Sequence, residues 1–231
     1  MPYTRIRRQR KGAAFFAGVL LFVFVACLFV GIFTCAGRTE HAVSLGYDFY
    51  FLIKECESTT AGVIAGGVAD SGGAGYLYGD DVVLSVYFTE SDACSVRDRL
   101  DERGVETRIK EVSCKEFMLR GDASKRDLAI SNGKTVYAIG KELYEIANRL
   151  ERAECTQEEA RKALNGAVAA LKGLQRENEN ADGALFSRWN AVLFSAARKG
   201  EEIATQIIFC KDVRYLEVQL FAALVDMGEY Y

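Results

Sequence analysis

Residues 47–55 read YDFYFLIKE, and this stretch determines the fold that we predict for residues 47–116. Its aromatic and β-branched side chains are typical of a β-strand. Because successive side chains of a strand point to opposite faces, the stretch has an apolar face and a mixed face. The apolar face consists of Tyr47, Phe49, Phe51 and Ile53, and the mixed face of Asp48, Tyr50, Leu52 and Lys54. We expect the apolar face to pack under helices, which leaves Tyr50 and Lys54 on an open face.

The residues that follow repeat the order strand, helix, strand. Ser58-Thr59-Thr60 offers a helix cap before the small-residue segment 61–69, and glycine turns then enclose a short strand. Residues 81–88 form the next predicted strand, residues 89–102 a second helix, and residues 105–112 an edge strand. This duplication predicts a ferredoxin-like split βαβ domain of the α+β class. Such a domain has a four-stranded antiparallel sheet with two helices on one face.

Five cysteines lie downstream of residue 46, at Cys56, Cys94, Cys114, Cys155 and Cys210. We expect the first and third strands of the sheet to be adjacent and parallel. Cys56 and Cys94 follow those two strands, so a disulfide between them is one interpretation. The other is a set of free, half-buried thiols, because an odd number of cysteines cannot all pair within one chain. No spacing among them fits a metal template.

Upstream of this region, residues 13–36 form an uncharged apolar segment. As a helix it would be about 36 Å long, enough to span a hydrocarbon layer of about 30 Å. It is too long for the apolar core of a cleaved signal peptide, and it has no polar side. Residues 1–12 are rich in arginine, which favours a cytoplasmic tail. The sequence thus predicts a single-pass transmembrane helix at 13–36, a linker at 37–46 and the bulk of the chain outside the cytoplasm.

Downstream, residues 117–231 change to a helical period and predict a separate helical domain. Predicted helices cover 133–154, 184–209 and a segment from about Asp212. Between them, Thr156-Gln157-Glu158-Glu159 is a capping box that marks another helix start. Antiparallel helices with short loops are typical of a bundle.

Catalytic chemistry finds little support in the sequence. His41 is the only histidine and lies in the predicted linker, so no catalytic triad based on histidine is available to the domains. Gly133-Lys134-Thr135 lacks the first glycine of a phosphate loop, and Asp80-Asp81 is interpreted as a turn former rather than a cation site. The net charge of −3, with no basic surface beyond the tail, argues against nucleic-acid binding. We therefore predict no enzyme activity, no cofactor and no metal; an enzyme that uses only carboxylates is a weaker alternative.

The second half of the predicted α+β domain resembles a known family. Residues 83–88 (VLSVYF), 90–93 (ESDA) and 104–107 (GVET) are similar to the strand, helix start and helix-to-strand turn of the SPOR domain, the sporulation-related repeat. The resemblance covers residues 47–114. It implies a SPOR-like domain that binds the glycan strands of peptidoglycan, on a membrane-anchored, non-enzymatic protein of the cell envelope that acts in division or sporulation.

A glycan would bind to the open face of the predicted sheet. There we expect Tyr50, Ser85, Tyr87 and Arg108 to stack on sugar rings and to form hydrogen bonds with them. Ordinary cross-strand pairing is the alternative role of these residues. The alternative function is an envelope scaffold that binds another protein through its sheet or its helical domain. A sheet face covered by the helical half would remove the glycan-docking surface.

Overall fold

The computed structural model describes residues 40–181 and 183–230. Their fold is α+β. The strands are β1 (Glu40–Val43), β2 (Asp48–Glu55), β3 (Tyr76–Tyr78), β4 (Asp81–Tyr87), β5 (Arg108–Ser113) and β6 (Phe117–Arg120). The helices are α1 (Ala61–Asp70), α2 (Glu90–Asp101), α3 (Ala123–Glu151), α4 (Gln157–Asn178), α5 (Ala184–Ala204) and α6 (Cys210–Val225), with a 3₁₀ turn at Asp226–Tyr230.

The main sheet has the strand order β3-β4-β2-β5, and every neighbouring pair is antiparallel. The prediction that the first and third strands are parallel is therefore wrong. Since β2 and β4 run in opposite directions, Cys56 lies beside the start of β4, where its thiol donates to the carbonyl oxygen of Asp80 at 3.0 Å. Cys94 lies in α2, which begins beyond the other end of β4. Both are free thiols, so the structure contradicts the Cys56–Cys94 disulfide.

Both faces of the main sheet are covered. Phe49 and Phe51 on the apolar face of β2 are fully buried, and the ring of Phe49 lies 4.7 Å from that of Phe221 on α6. The apolar face thus packs under helices as predicted, but the helices belong to the C-terminal half. Helices α1 and α2 cover the opposite face, where Leu52 is buried with Val68 of α1. The predicted open face is absent from the described part of the chain.

A second, two-stranded sheet joins the two halves of the sequence. Strand β1 pairs antiparallel with β6, from Glu40 opposite Arg120 to Val43 opposite Phe117. Residues 40–43, predicted as linker, are therefore a strand. Residues from both sides of the predicted boundary at 116/117 belong to one continuous apolar core. The helical half and the sheet consequently stabilise each other.

Local capping signals set where several helices begin. Thr156 and Glu159 form the predicted capping box at the start of α4. Helix α3 begins ten residues earlier than predicted, because the Asp122 carboxylate accepts a hydrogen bond from the backbone N–H of Lys125 at 3.0 Å. Helix α3 packs along α6, and α4 packs along α5.

The predicted fold class is wrong in its arrangement. Instead of a SPOR-like domain with one open sheet face and a separate bundle, the described residues form one α+β unit with helices on both faces of the sheet. Across residues 40–181 and 183–230, no helix combines the length and the apolar character that a membrane crossing requires. The tail at 1–12 and the apolar segment at 13–36 lie outside the described residues.

Candidate functional site

The four predicted glycan-binding residues do not share one surface. Ser85 and Tyr87 on β4 are only 6% and 7% exposed and face a cleft between α1 and α2. Tyr50 and Arg108 border a smaller depression on the other side of α2. There Arg108 forms an ion pair with Glu55. Helix α2 separates the two pairs, so they cannot contact one ligand as a flat platform.

The cleft between α1 and α2 is the larger concavity. It encloses about 920 Å³, within the range of about 300–1,000 Å³ that is typical of small-molecule sites. Its floor is the mixed face of β2 and β4, including Leu52 and Leu84. A β-bulge at Leu84 displaces the pairing between Leu52–Ser85 and Ile53–Val83, so that Leu84 and Ser85 both line the cleft. Apolar residues of both helices form its sides.

The cleft concentrates positive charge in a chain whose net charge is −3. Five basic and two acidic side chains line it. Only one of the basic side chains, Arg214 of α6, forms an ion pair within the described residues, with Glu151 of α3. The other four, which are Lys54, Arg99, Arg103 and Arg152, form none there. In the smaller depression, by contrast, Arg97 and Arg108 are both paired with carboxylates.

The topology brings three of these cations to one end of the cleft. Lys54 is opposite Val82, at the start of β4. Helix α2 follows β4 and returns over the sheet, so its C-terminal half lies at the same end. Arg99 on α2 and Arg103, in the turn just after α2 ends, both line the cleft there. The result is a cationic end formed by Lys54, Arg99 and Arg103.

The other end of the cleft carries neutral polar groups from β4 and α3, with the charged side chains of Asp92 and Arg214 nearby. Burial raises the pKa of Tyr87, and a hydrogen bond with Ser85 opposes this shift only in part. Burial likewise raises the pKa of Tyr144, against a hydrogen bond with Asn148. Both phenols therefore keep their protons at neutral pH. We call Ser85, Tyr87, Tyr144 and Asn148 the hydroxyl-amide end.

Arg214 links the walls of the cleft. Its guanidinium donates to the backbone carbonyl oxygen of Gly72 at 3.1 Å and to Oδ1 of Asn148 at 3.4 Å, in addition to the pair with Glu151. Burial lowers the pKa of Arg214, but the nearby Glu151 carboxylate outweighs that effect and the net shift is upward. The loop after α1 is thereby attached to α3 and α6.

Glu217, one turn after Arg214 on α6, is fully buried. Neither of its carboxyl oxygens has a hydrogen-bond partner in the described part of the chain. Burial raises its pKa well above the ordinary value, and the charge of Arg214 only partly opposes this. Glu217 was not predicted as a notable residue, although the sequence carries a signal. It is four residues from both Val213 and Phe221, on the apolar side of a helix.

The cleft cations were missed for a different reason. Arg99 and Arg103 have the spacing of an ordinary solvated helix face, and Lys54 and Arg152 are far from them in sequence. Only the folded chain brings them together. No sequence pattern available before folding distinguishes these four from the other basic residues.

The arrangement offers binding groups rather than an evident catalytic set. His41 lies on β1 opposite Leu119 and does not line the cleft. Asp81 binds Lys110 at 2.7 Å. Residues 40–181 and 183–230 contain no group of three histidine, cysteine or acidic side chains that could hold a metal ion.

Comparisons with protein-family models, with curated proteins and with solved structures found no match to this chain. The resemblance of residues 47–114 to the SPOR family therefore stays a prediction, and the function rests on the geometry of the cleft.

Proposed function

We propose that this protein is a binding protein that takes an anionic small molecule in the cleft between α1 and α2. The observation that carries the proposal is the set of four basic side chains around one concavity that form no ion pair with any described residue. Basic side chains without an ion pair to a described residue occur elsewhere too, among them Arg188 and Arg198, but the cleft gathers four of them around one concavity.

Electrostatics supports an anion as the occupant. Several charges of one sign around a cleft produce a positive potential, which low-dielectric walls strengthen. This potential favours an anion as the occupant. Arginine also presents a planar fork of donors that matches a phosphate or a carboxylate, which suits it to this role better than lysine.

The proposal replaces the sheet-face mode of glycan binding. That mode requires an open, shallow face, whereas helices cover both faces of the sheet. Of the four residues assigned to it, only Ser85 and Tyr87 line the cleft, at 6% and 7% exposure. Cell-envelope localisation and a role in division or sporulation stay predictions from the sequence.

A direct test is ³¹P NMR of inorganic phosphate and pyrophosphate titrated with the full-length protein in detergent micelles. We expect line broadening that reports binding, and a loss of affinity of about tenfold for each of Arg99→Gln and Arg103→Gln, since one charged contact is worth about 1.4 kcal/mol. Arg97→Gln is the matched control, because it removes the same charge from α2 outside the cleft. Equal affinity in all three variants would contradict the proposal.

One observation favours the second candidate, a protein partner. The loop between α5 and α6 exposes Ile207 (67%) and Phe209 (54%) on either side of buried Ile208. The side-chain amide of Gln157 holds both backbone groups of Ile208, at 2.8 and 2.9 Å. Two large apolar side chains are thus exposed on a fixed loop, and a protein partner that covered them would bury apolar surface.

A stoichiometric partner that co-purifies with the wild type, and that is lost in an Ile207→Ser, Phe209→Ser double variant, would support this second candidate. Val63→Ser is the matched control, because Val63 is 80% exposed on α1. A partner retained by the double variant would exclude this loop as its contact.

A further inference from the structure

We infer that the ligand of the cleft is a phosphorylated sugar or polyol. This inference rests on the proposed function and narrows it. Its basis is that the cleft has two chemically different ends, a cationic end and a hydroxyl-amide end, on one continuous floor. A ligand that satisfies both needs a strongly acidic group joined to a body rich in hydroxyl groups.

The two ends are farther apart than inorganic phosphate can span. Tyr87 is opposite Tyr50, which lies four residues along β2 from Lys54. At roughly 3.3 Å per residue this corresponds to about 13 Å along the strand. Inorganic phosphate can reach only one end, whereas a phosphorylated sugar extends from one end toward the other.

The cationic end matches a phosphate better than a carboxylate. A phosphate monoester carries about −1.5 to −2 charges at pH 7 and offers three acceptor oxygens. Lys54, Arg99 and Arg103 together provide more donors than a single carboxylate can accept. A phosphate is therefore the better match in both charge and hydrogen-bonding capacity.

The hydroxyl-amide end matches a ligand that is rich in hydroxyl groups. Phenol, serine and amide groups can each donate and accept a hydrogen bond, so each can bind a ligand hydroxyl group that acts as acceptor or as donor. The apolar residues of the floor, Leu52, Val68 and Leu84, are at most 8% exposed, so apolar contact with a ligand is left to the sides of the cleft. Tyr87 is 7% exposed, so its ring face is closed to a stacked nucleobase. A sugar or polyol fits these groups best.

Isothermal titration calorimetry on the full-length protein in detergent micelles tests the inference. The probes are glucose 6-phosphate, ribose 5-phosphate and glycerol 3-phosphate, compared with inorganic phosphate and AMP. We expect at least one of the three to bind at least tenfold more tightly than inorganic phosphate. Ser85→Ala and Tyr144→Phe should each reduce that advantage while the affinity for inorganic phosphate stays unchanged, which also shows that the variants are folded. Arg99→Gln should lower the affinity for the organic phosphate and for inorganic phosphate alike.

The different failures are distinguishable. If inorganic phosphate binds as tightly as all three organic phosphates, the inference is overturned and the proposed function stands. If AMP binds most tightly, the ligand is a nucleotide and the inference is again overturned. If none of these anions binds, the proposed function fails together with the inference.

Discussion

One face of the main sheet is sealed by α3 and α6, whereas the other is covered by α1 and α2 with a cleft between them. On the sealed face, Phe49 packs against Phe221 in an aromatic cluster, and both rings are fully buried. On the cleft face, cations without an ion pair among the described residues surround the opening. The two faces of the sheet therefore have different roles. The sealed face buries apolar side chains and so stabilises the fold, whereas the cleft face presents the candidate binding groups.

The most severe way to disturb the sealed face is Phe221→Ala. Phe221 is fully buried and its ring contacts those of Phe49, Phe88 and Tyr137. We expect the free energy of unfolding to fall by about 3–5 kcal/mol, because an aromatic side chain removed from a packed core leaves a cavity. Urea denaturation followed by circular dichroism measures this. Phe194→Ala is the control, and its exposed ring should matter by less than about 0.5 kcal/mol.

Not every buried side chain of α6 is expected to stabilise the fold. Glu217 places a carboxyl group in the interior without a hydrogen-bond partner among the described residues. Its folded pKa is raised, so unfolding releases a proton above the ordinary pKa of 4.5. Stability then falls as the pH rises from 4.5 toward the folded pKa, by up to about 1.4 kcal/mol per pH unit. We expect Glu217→Met to abolish this decline and to stabilise the protein by about 1–3 kcal/mol at pH 7.

Denaturation midpoints at several pH values check this prediction, and the difference between the two proteins isolates Glu217 from the other titrating groups. Parallel pH profiles of the wild type and the Glu217→Met variant would show that the carboxyl group is not the cause.

Gly140 probes how tightly the sealed face is packed. A Cβ added at Gly140 would lie 2.7 Å from Cζ of Phe221, which is closer than real contacts. We expect Gly140→Ala to cost about 1–2 kcal/mol, since overpacking typically costs about 1–3 kcal/mol and alanine recovers up to about 1 kcal/mol in helix propensity. Gly166→Ala on α4, where the added Cβ meets open space, should instead stabilise the protein by about 0.5–1 kcal/mol. The same sign in both variants, measured by urea denaturation, would contradict this.

The smallest effect on stability belongs to the cleft face. We expect the Arg99→Gln, Arg103→Gln double variant to change the free energy of unfolding by less than about 0.5 kcal/mol, because both side chains are exposed and form no ion pair within the described residues. Thermal denaturation with and without phosphate measures it. Phosphate should raise the melting temperature of the wild type but not of the double variant. A strongly destabilised double variant would mean that these arginines serve the fold rather than a ligand.

Several features of the fold were predictable because their causes are local. The alternation of YDFYFLIKE predicts the two faces of β2, and Phe49 and Phe51 are indeed buried together. The hydroxyl and carboxylate of the Thr156–Glu159 box lie within one helical turn, so the start of α4 could be located from the sequence. The direction of β4 relative to β2 and the strand at 40–43 were not predictable, since each depends on a partner far along the chain.

The residues of the candidate site were likewise predictable only in part. Ser85 and Tyr87 were selected from the sequence and do line the cleft, but Tyr50 and Arg108 were assigned to the same surface and lie beyond α2. Assigning them to one face required knowledge of where α2 packs. That Lys54 and Arg152 form no ion pair within the described residues could be learned only from their neighbours in space.

The amino-acid sequence alone was enough to define most elements and their apolar sides, because hydrophobic periodicity and capping act over a few residues. It also established the uncharged segment at 13–36 and the single histidine. Three features emerged only from the folded chain: which helices cover which face, the core shared by the two halves, and the cationic cleft. These depend on contacts between residues distant in sequence, whose free energies are comparable for many alternative pairings until the whole chain packs.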